Sequence, residues 1–147
     1  MNLTPRLASP KAHCTIQQVL RSFAAVVVFG VAGPPIGGLV AWGMMGAAGG
    51  NSPAPFVSGA YGEGLALALA TGIIVAAAAW LGHSSWLIAV AAALLTNLVF
   101  HLSTVTAGFA SPEYFEALAR TAMVFLPPSV VAALACRFLA RPLLEGS

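Results

Sequence analysis

Four long apolar stretches fill most of the chain and constrain its fold more than any other feature. They run over Ser22–Gly46, Tyr61–Leu81, Trp86–Ala107 and Ala117–Leu139. Each is about as long as the ~20 residues that a helix needs to cross ~30 Å of hydrocarbon. Continuous rather than alternating hydrophobicity favours helices over a closed barrel, the other structure that can cross lipid with its backbone groups satisfied. The sequence therefore predicts an all-α, polytopic membrane protein with a bundle of four transmembrane helices.

The composition argues against a water-soluble domain. Apolar residues make up 59% of the chain and charged residues only 7%, whereas soluble domains typically carry about 25% charged residues. Four spans also leave no room in 147 residues for a second folded domain. We predict one transmembrane domain over residues 22–141, between an N-terminal tail (1–21) and a C-terminal tail (142–147).

The basic residues are distributed asymmetrically about the predicted spans. Five of the six share one side, and only Arg120 lies on the other. By the positive-inside rule, both tails are then cytoplasmic. The chain has no basic face of the kind that binds nucleic acid, so we predict the lipid bilayer as a partner and no nucleic acid. The residues that share one side are Arg6, Lys11, Arg21, Arg137 and Arg141.

The first and fourth spans each contain a proline pair. Pro34 and Pro35 lie within Gly33–Gly38, near the centre of the first span, and Pro127-Pro128 lies in the fourth. A proline removes a backbone donor and clashes with the carbonyl four residues back, so the pattern predicts that both helices are kinked or broken. Gly33 and Gly37 form a GxxxG pair, which permits close approach of another helix.

The two proline pairs lie at similar predicted depths, and two interpretations follow. At about 1.5 Å per residue, both pairs lie roughly 14–20 Å from the cytoplasmic boundary. Two interrupted helices would expose facing carbonyls near the midplane, as in transporters with broken helices. Alternatively, the prolines are tolerated because neighbouring helices replace the lost hydrogen bonds.

The third span carries a polar face. Asn97, His101 and Thr104 are spaced four and three residues apart, so they share one side of a helix. An ionisable residue within a span usually faces the bundle interior. His101 could bond another helix, relay protons or ligate a cofactor. Because no second ligand candidate accompanies it, we predict no cofactor and no metal.

The connections between the spans have distinct signatures. Ala47–Ala60 is rich in Gly, Ser and Pro and is predicted as an external loop, which places Glu63 in the first outer turn of the second helix. Gly82–Ser85 is predicted to close a tight hairpin. Ser111-Pro112-Glu113 is predicted to start the fourth helix. Glu116 and Arg120 are spaced to form an i,i+4 ion pair on that helix.

The segment Gly33-Pro34-Pro35-Ile36-Gly37 resembles a segment in the first helix of small proteobacterial inner-membrane proteins known as domains of unknown function. In those proteins a later Tyr-x-Gly precedes an Ala/Leu-rich helix, which Tyr61–Gly64 matches loosely. The resemblance covers about the first half of the chain. It implies location in the bacterial inner (plasma) membrane, and it carries over no activity and no site residue.

Residues for catalysis are scarce. The chain has no aspartate, no Ser–His–Asp set and no cluster of metal ligands, so we predict that it is not an enzyme and has no catalytic residue. The leading hypothesis is an accessory or assembly subunit of an inner-membrane complex, or a homo-oligomer, because the chain is short and rich in small residues. The alternative is a small transporter or channel that uses the kinked first and fourth helices and His101. The candidate functional or packing residues are Gly33, Pro34, Pro35, Gly37, Asn97, His101, Thr104, Pro127 and Pro128.

Overall fold

Helices make up almost all of the chain that the structure, a computed structural model, describes. The described residues are 16–46, 49–83, 85–104 and 112–144. Within them, the all-α prediction is confirmed. The helices are α1 (Ile16–Met45), α2 (Ala54–Trp80), α3 (Trp86–Thr104), α4 (Pro112–Leu139) and the short α5 (Arg141–Leu144).

Three helical segments of the described chain are long and apolar enough to cross a membrane. They are Ile16–Met45, Ala54–Trp80 and Trp86–Ser103, and α4 contributes a shorter apolar segment, Met123–Leu139. Large apolar side chains are exposed on α1, α2, α3 and α4, for example Phe23, Ile73, Leu98 and Met123. Such a surface is suited to lipid rather than water.

The four long helices form a ring. α1 packs on α2 and α4, and α3 packs on the same two helices. Consecutive helices run antiparallel, because Trp80 at the end of α2 bonds Ser22 near the start of α1. The Arg137 guanidinium, near the end of α4, likewise lies over the ring of Trp86 at the start of α3. We call this end of the bundle the Trp86 end, and the opposite one, where α1 finishes and α2 begins, the Met45 end.

Glycines of α1 permit the close packing that the GxxxG pair predicts. A Cβ at Gly33 would lie 3.1 Å from the Ala68 Cβ of α2, and one at Gly37 would lie 3.8 Å from the Pro128 carbonyl oxygen of α4. One residue further on the neighbour is backbone, because a Cβ at Gly38 would lie 2.8 Å from the Phe56 carbonyl oxygen. α1 therefore contacts two neighbouring helices through one short glycine-rich segment.

The apolar core is concentrated towards the Trp86 end. Half-buried Leu143 and Leu144 of α5 pack against it, so part of the predicted C-terminal tail belongs to the bundle. Arg137, predicted as a boundary charge, is only 1% exposed. Its guanidinium carbon is 5.7 Å from the centroid of the Trp86 ring, a distance at which the ring attracts a cation. The buried core residues are Ala25, Phe29, Val75, Ala89, Ala92, Ala93, Ala133, Cys136 and Ala140.

Two helices begin earlier than the predicted spans. α1 starts at Ile16, and α2 starts at Ala54, so the prediction of a loop as far as Ala60 is wrong. The earlier start of α2 follows from its prolines. Pro53 and Pro55 are typical of a loop, but proline is also tolerated in the first turn of a helix. Glu63 consequently lies nine residues beyond the start of α2 and not in its first turn.

At the start of α4 the structure agrees with the sequence. α4 begins at Pro112, as predicted, although the expected capping residue Ser111 lies outside the described residues. The i,i+4 ion pair of Glu116 and Arg120 is confirmed.

The proline pairs do not break their helices. α1 continues through Pro34 and Pro35, and α4 continues through Pro127 and Pro128, so the prediction of interrupted helices is wrong. A kink at either pair stays a prediction.

At Pro35 the missing donor is replaced from outside the helix. The Tyr61 hydroxyl donates to the Val31 carbonyl oxygen over 2.8 Å, and Val31 is the residue that an amide at position 35 would bond.

Candidate functional site

A cavity of about 340 Å³ lies between the four long helices. Its lining on α1 extends from Phe29 to Met45, a rise of about 24 Å at 1.5 Å per residue. Most of the lining is apolar, including the rings of Phe29, Phe56, Phe100 and Phe125. The lining residues with polar side chains are Glu63, Thr71, Asn97, His101, Ser129 and Cys136.

Asn97 links α3 to α4 at the cavity wall. Its side chain is 2% exposed, and its Nδ2 donates to the Ala93 carbonyl oxygen over 2.8 Å. Its Oδ1 lies 3.4 Å from the Ser129 Oγ, a long contact. The same Ser129 hydroxyl lies 2.8 Å from the carbonyl oxygen of Phe125 and bonds this group more strongly. The amide is thus fixed by its own helix and turned toward α4.

Two threonines link α2 to α3. The Thr71 and Thr96 Oγ1 atoms are 2.9 Å apart, and both side chains are buried. The Thr96 hydroxyl also lies within bonding distance of the carbonyl oxygens of Ala92 and Ala93. Because a hydroxyl has one proton, Thr96 donates to its own helix and Thr71 donates to Thr96. Thr71 lines the cavity, so the wall on this side is a satisfied hydrogen-bonded pair.

His101 is half-buried among aromatic rings. Its ring centroid is 5.8 Å from that of Phe100 and 5.8 Å from that of Phe125, the latter on α4. These distances are in the range of packed aromatic pairs. His101 faces the bundle interior, as its helix face predicted.

Four polar lining residues were not among the predicted candidates, and Glu63 is the carboxylate among them. The other three are Thr71, Ser129 and Cys136. With α2 taken to begin near Tyr61, this carboxylate was placed in the boundary turn. The signal that could have found it is the proline pattern of Pro53 and Pro55, which marks the first turn of a helix and places Glu63 more than two turns further on. By helix rise, Glu63 lies about 25 Å from the Trp80 level and His101 about 22 Å from the Trp86 level. Neighbouring helices therefore place the two residues at a similar height.

The cavity differs at its two ends. At the Trp86 end its lining includes Phe29 and Cys136, which are 2% and 0% exposed and belong to the apolar core. Towards the Met45 end its lining includes Gly59 and Glu63, which are both exposed. The part of the chain that the structure describes therefore forms a cavity that is closed at one end and reaches the surface near the other.

The structure brings six of the nine predicted candidate residues to this cavity. Pro35 and Pro127 are not among the lining residues, since Pro35 is half-buried elsewhere on α1 and Pro127 is exposed. Thr104 is the last residue of α3, and the position of its side chain lies outside what the structure describes. The six that line the cavity are Gly33, Pro34, Gly37, Asn97, His101 and Pro128.

No family model, curated protein or solved structure matches the chain. Function must therefore be inferred from the site itself. Among the described residues, no group of three or more His, Cys, Asp or Glu side chains could hold a metal ion. The arrangement is suited to enclosing a small molecule, with an apolar wall and a few polar groups that fix its orientation.

Proposed function

We propose that this protein is a small membrane transporter that binds its substrate in the four-helix cavity. The observation that supports the proposal is the extent of the cavity, whose lining follows α1 for about 24 Å of the ~30 Å of hydrocarbon. Packing two helices side by side does not require such a space. Protein interiors are normally close-packed, with few voids larger than a water molecule.

The proposed arrangement in the membrane has four spans. α1, α2 and α3 supply three, and α4 supplies the fourth with the apolar segment Met123–Leu139, which is near the lower limit of ~17 residues for a span. An even number of spans places both termini on one side, and the basic residues make this side the cytoplasm. The Met45 end, where the cavity reaches the surface, then faces outward. The membrane in this proposal is a bacterial inner membrane, and the protein acts there without catalysis.

A second candidate function is that of an accessory subunit or homo-oligomer, and the outer face of α2 favours it. Ser58, Gly62 and Ala66 are spaced four residues apart, and all three are exposed. A Cβ at Gly62 would have no atom within 4 Å. Small residues at this spacing permit close approach of another membrane helix. Its partner would be another subunit of a membrane complex or a second copy of the chain.

Two glycines of α2 allow a matched experiment. Gly64 lines the cavity and Gly62 does not, yet an added Cβ would meet nothing within 4 Å at either position. Gly64→Leu should therefore fill the cavity, and Gly62→Leu should alter only the outer face. Equilibrium dialysis of the purified protein would use two three-ring probes, neutral triphenylphosphine oxide and cationic methyltriphenylphosphonium.

We expect the wild type to bind at least one probe saturably at about one molecule per chain. Gly64→Leu should weaken this binding, and Gly62→Leu should retain it. Uptake of the bound probe into proteoliposomes would then test transport itself. Equal binding by wild type and Gly64→Leu, or no saturable binding of either probe, would contradict the transporter proposal. Loss of an oligomer or co-purifying partner in Gly62→Leu alone would support the second candidate.

A further inference from the structure

We infer that the cavity takes a lipophilic organic cation and that the Glu63 carboxylate is its counter-ion. This inference rests on the proposed function, because it assigns a substrate class to the same cavity. It follows from the position of Glu63 in the lining, the space beside it, the charges around it and the aromatic rings that share the lining.

The height of Glu63 on α2 places its carboxylate at the open end of the cavity, just inside the proposed outer boundary of the membrane. α2 runs from Ala54 to Trp80, and Glu63 lies about 25 Å from Trp80 by helix rise. With Trp80 at one membrane interface, Glu63 lies about 5 Å inside the opposite boundary of the ~30 Å hydrocarbon layer. An ionisable residue within a span that lines a cavity is a candidate for the substrate pathway.

The structure leaves space beside the carboxylate. Gly59 lies one helical turn before Glu63 and Gly64 follows it directly, and both glycines line the cavity. A Cβ at either glycine would meet no atom within 4 Å. The lining next to Glu63 therefore has open space at these two glycines, and this leaves room for a ligand beside the carboxylate.

The described lining offers Glu63 no lysine or arginine as a partner. The ion pair that the structure shows for a glutamate, Glu116 with Arg120, lies outside the lining. The other titratable groups of the lining are His101, at a similar height on α3, and Cys136, at the closed Trp86 end. A negative charge with space beside it, in a mostly apolar cavity, favours a cationic ligand over a neutral or anionic one.

The aromatic lining sets the kind of cation. The rings of Phe29, Phe56, Phe100 and Phe125 attract an organic cation through their faces and contribute apolar contact area. A small inorganic cation such as Ca²⁺ would need six to eight oxygen ligands, which this lining does not offer. The match is an organic cation with an apolar skeleton and a delocalised or alkylated charge.

The test compares the two probes on a matched pair of variants. Methyltriphenylphosphonium and triphenylphosphine oxide have nearly the same shape and differ in charge. Glu63→Gln removes the cavity carboxylate, whereas Glu116→Gln removes an exposed carboxylate outside the lining. Binding of each probe to purified wild type and to both variants would be measured by equilibrium dialysis, with circular dichroism as the check that the variants are folded.

We expect the wild type and Glu116→Gln to bind the cation more tightly than the neutral probe. Glu63→Gln should bind the cation about fivefold more weakly, the loss expected for one partly exposed ion pair. Its affinity for the neutral probe should not fall. Cation binding that is unchanged in Glu63→Gln would overturn the inference.

The same measurements separate this inference from the proposed function. Saturable binding of the neutral probe that Gly64→Leu weakens, without preference for the cation, would retain the cavity as a binding site and reject the cationic substrate. Absence of saturable binding of both probes to the wild type would reject the cavity as a site and the inference with it.

Discussion

The hydroxyl of Tyr61 on α2 donates a hydrogen bond of 2.8 Å to the carbonyl oxygen of Val31 on α1. This carbonyl is the acceptor that Pro35 leaves without its helical donor, because proline has no N–H. Neighbouring helices are expected to replace bonds lost at membrane prolines, and here a single side chain does so. The contact replaces the bond that Pro35 removes, and α1 continues past the proline pair as a helix.

Removing the Tyr61 hydroxyl should destabilise the bundle more while Pro35 is present than after Pro35 is replaced by alanine. Tyr61→Phe should cost about 1 kcal/mol of unfolding free energy, the typical worth of one hydrogen bond. In a Pro35→Ala background the loss should be smaller, because the new amide can bond Val31 within α1. Unfolding of all four combinations in mixed detergent micelles would measure the coupling. An equal cost in both backgrounds would show that the hydroxyl does not replace the proline's missing donor.

The tight packing of α1 on α2 predicts opposite effects at two glycines of α1. A Cβ at Gly38 would lie 2.8 Å from backbone atoms of α2, whereas one at Gly43 would meet nothing within 4 Å. Gly38→Ala should therefore destabilise the protein by about 1–3 kcal/mol through overpacking. Gly43→Ala should be neutral or stabilising by up to about 1 kcal/mol, because alanine is the better helix former. Thermal unfolding in detergent would compare them. Equal effects would contradict the close helix contact.

Arg137, which the sequence places at a membrane boundary, is buried in the structure. We therefore expect it to contribute to stability. Its guanidinium lies over the Trp86 ring, so Trp86→Leu should cost about 1 kcal/mol of stability through lost cation–π attraction and ring contact. Arg137→Lys should also destabilise, since a lysine lacks the planar group that stacks on the ring. The control is Arg120→Lys, in an exposed ion pair with Glu116, which should change stability by less than about 0.5 kcal/mol. Equal losses at both arginines would contradict the burial of Arg137.

The proposed orientation predicts the outcome of three reporter fusions. A reporter after Ser147 and one inserted beside His83, between α2 and α3, should be active only in the cytoplasm. One inserted beside Asn51, between α1 and α2, should be active only outside, because the basic residues set both termini inside. A cytoplasmic signal at Asn51 would reverse the orientation. Opposite sides for His83 and Ser147 would contradict the four-span count.

The apolar content of the chain determined the helical class before any contact was known. Membrane spans are recognised from length and hydrophobicity alone, because backbone groups in lipid must be satisfied within the same segment. The same local reasoning predicted the start of α4 at Pro112 and the pair of Glu116 with Arg120, both of which depend on neighbours in one helix. It also placed Asn97 and His101 on an inward face.

Interhelical packing determined the remaining features, because these depend on residues that are distant in sequence. The proline pairs predict kinked or broken helices when each span is considered alone, but at Pro35 a hydroxyl from α2 replaces the lost bond and the helix continues. The positions of Arg137 and Trp86 on separate helices gave no sign that they would meet. The cavity itself is the space left between four packed surfaces, so no single span encodes it. Glu63 lies in its lining together with residues of α1, α3 and α4, and its position more than two turns into α2 becomes clear only once α2 is known to begin at Ala54.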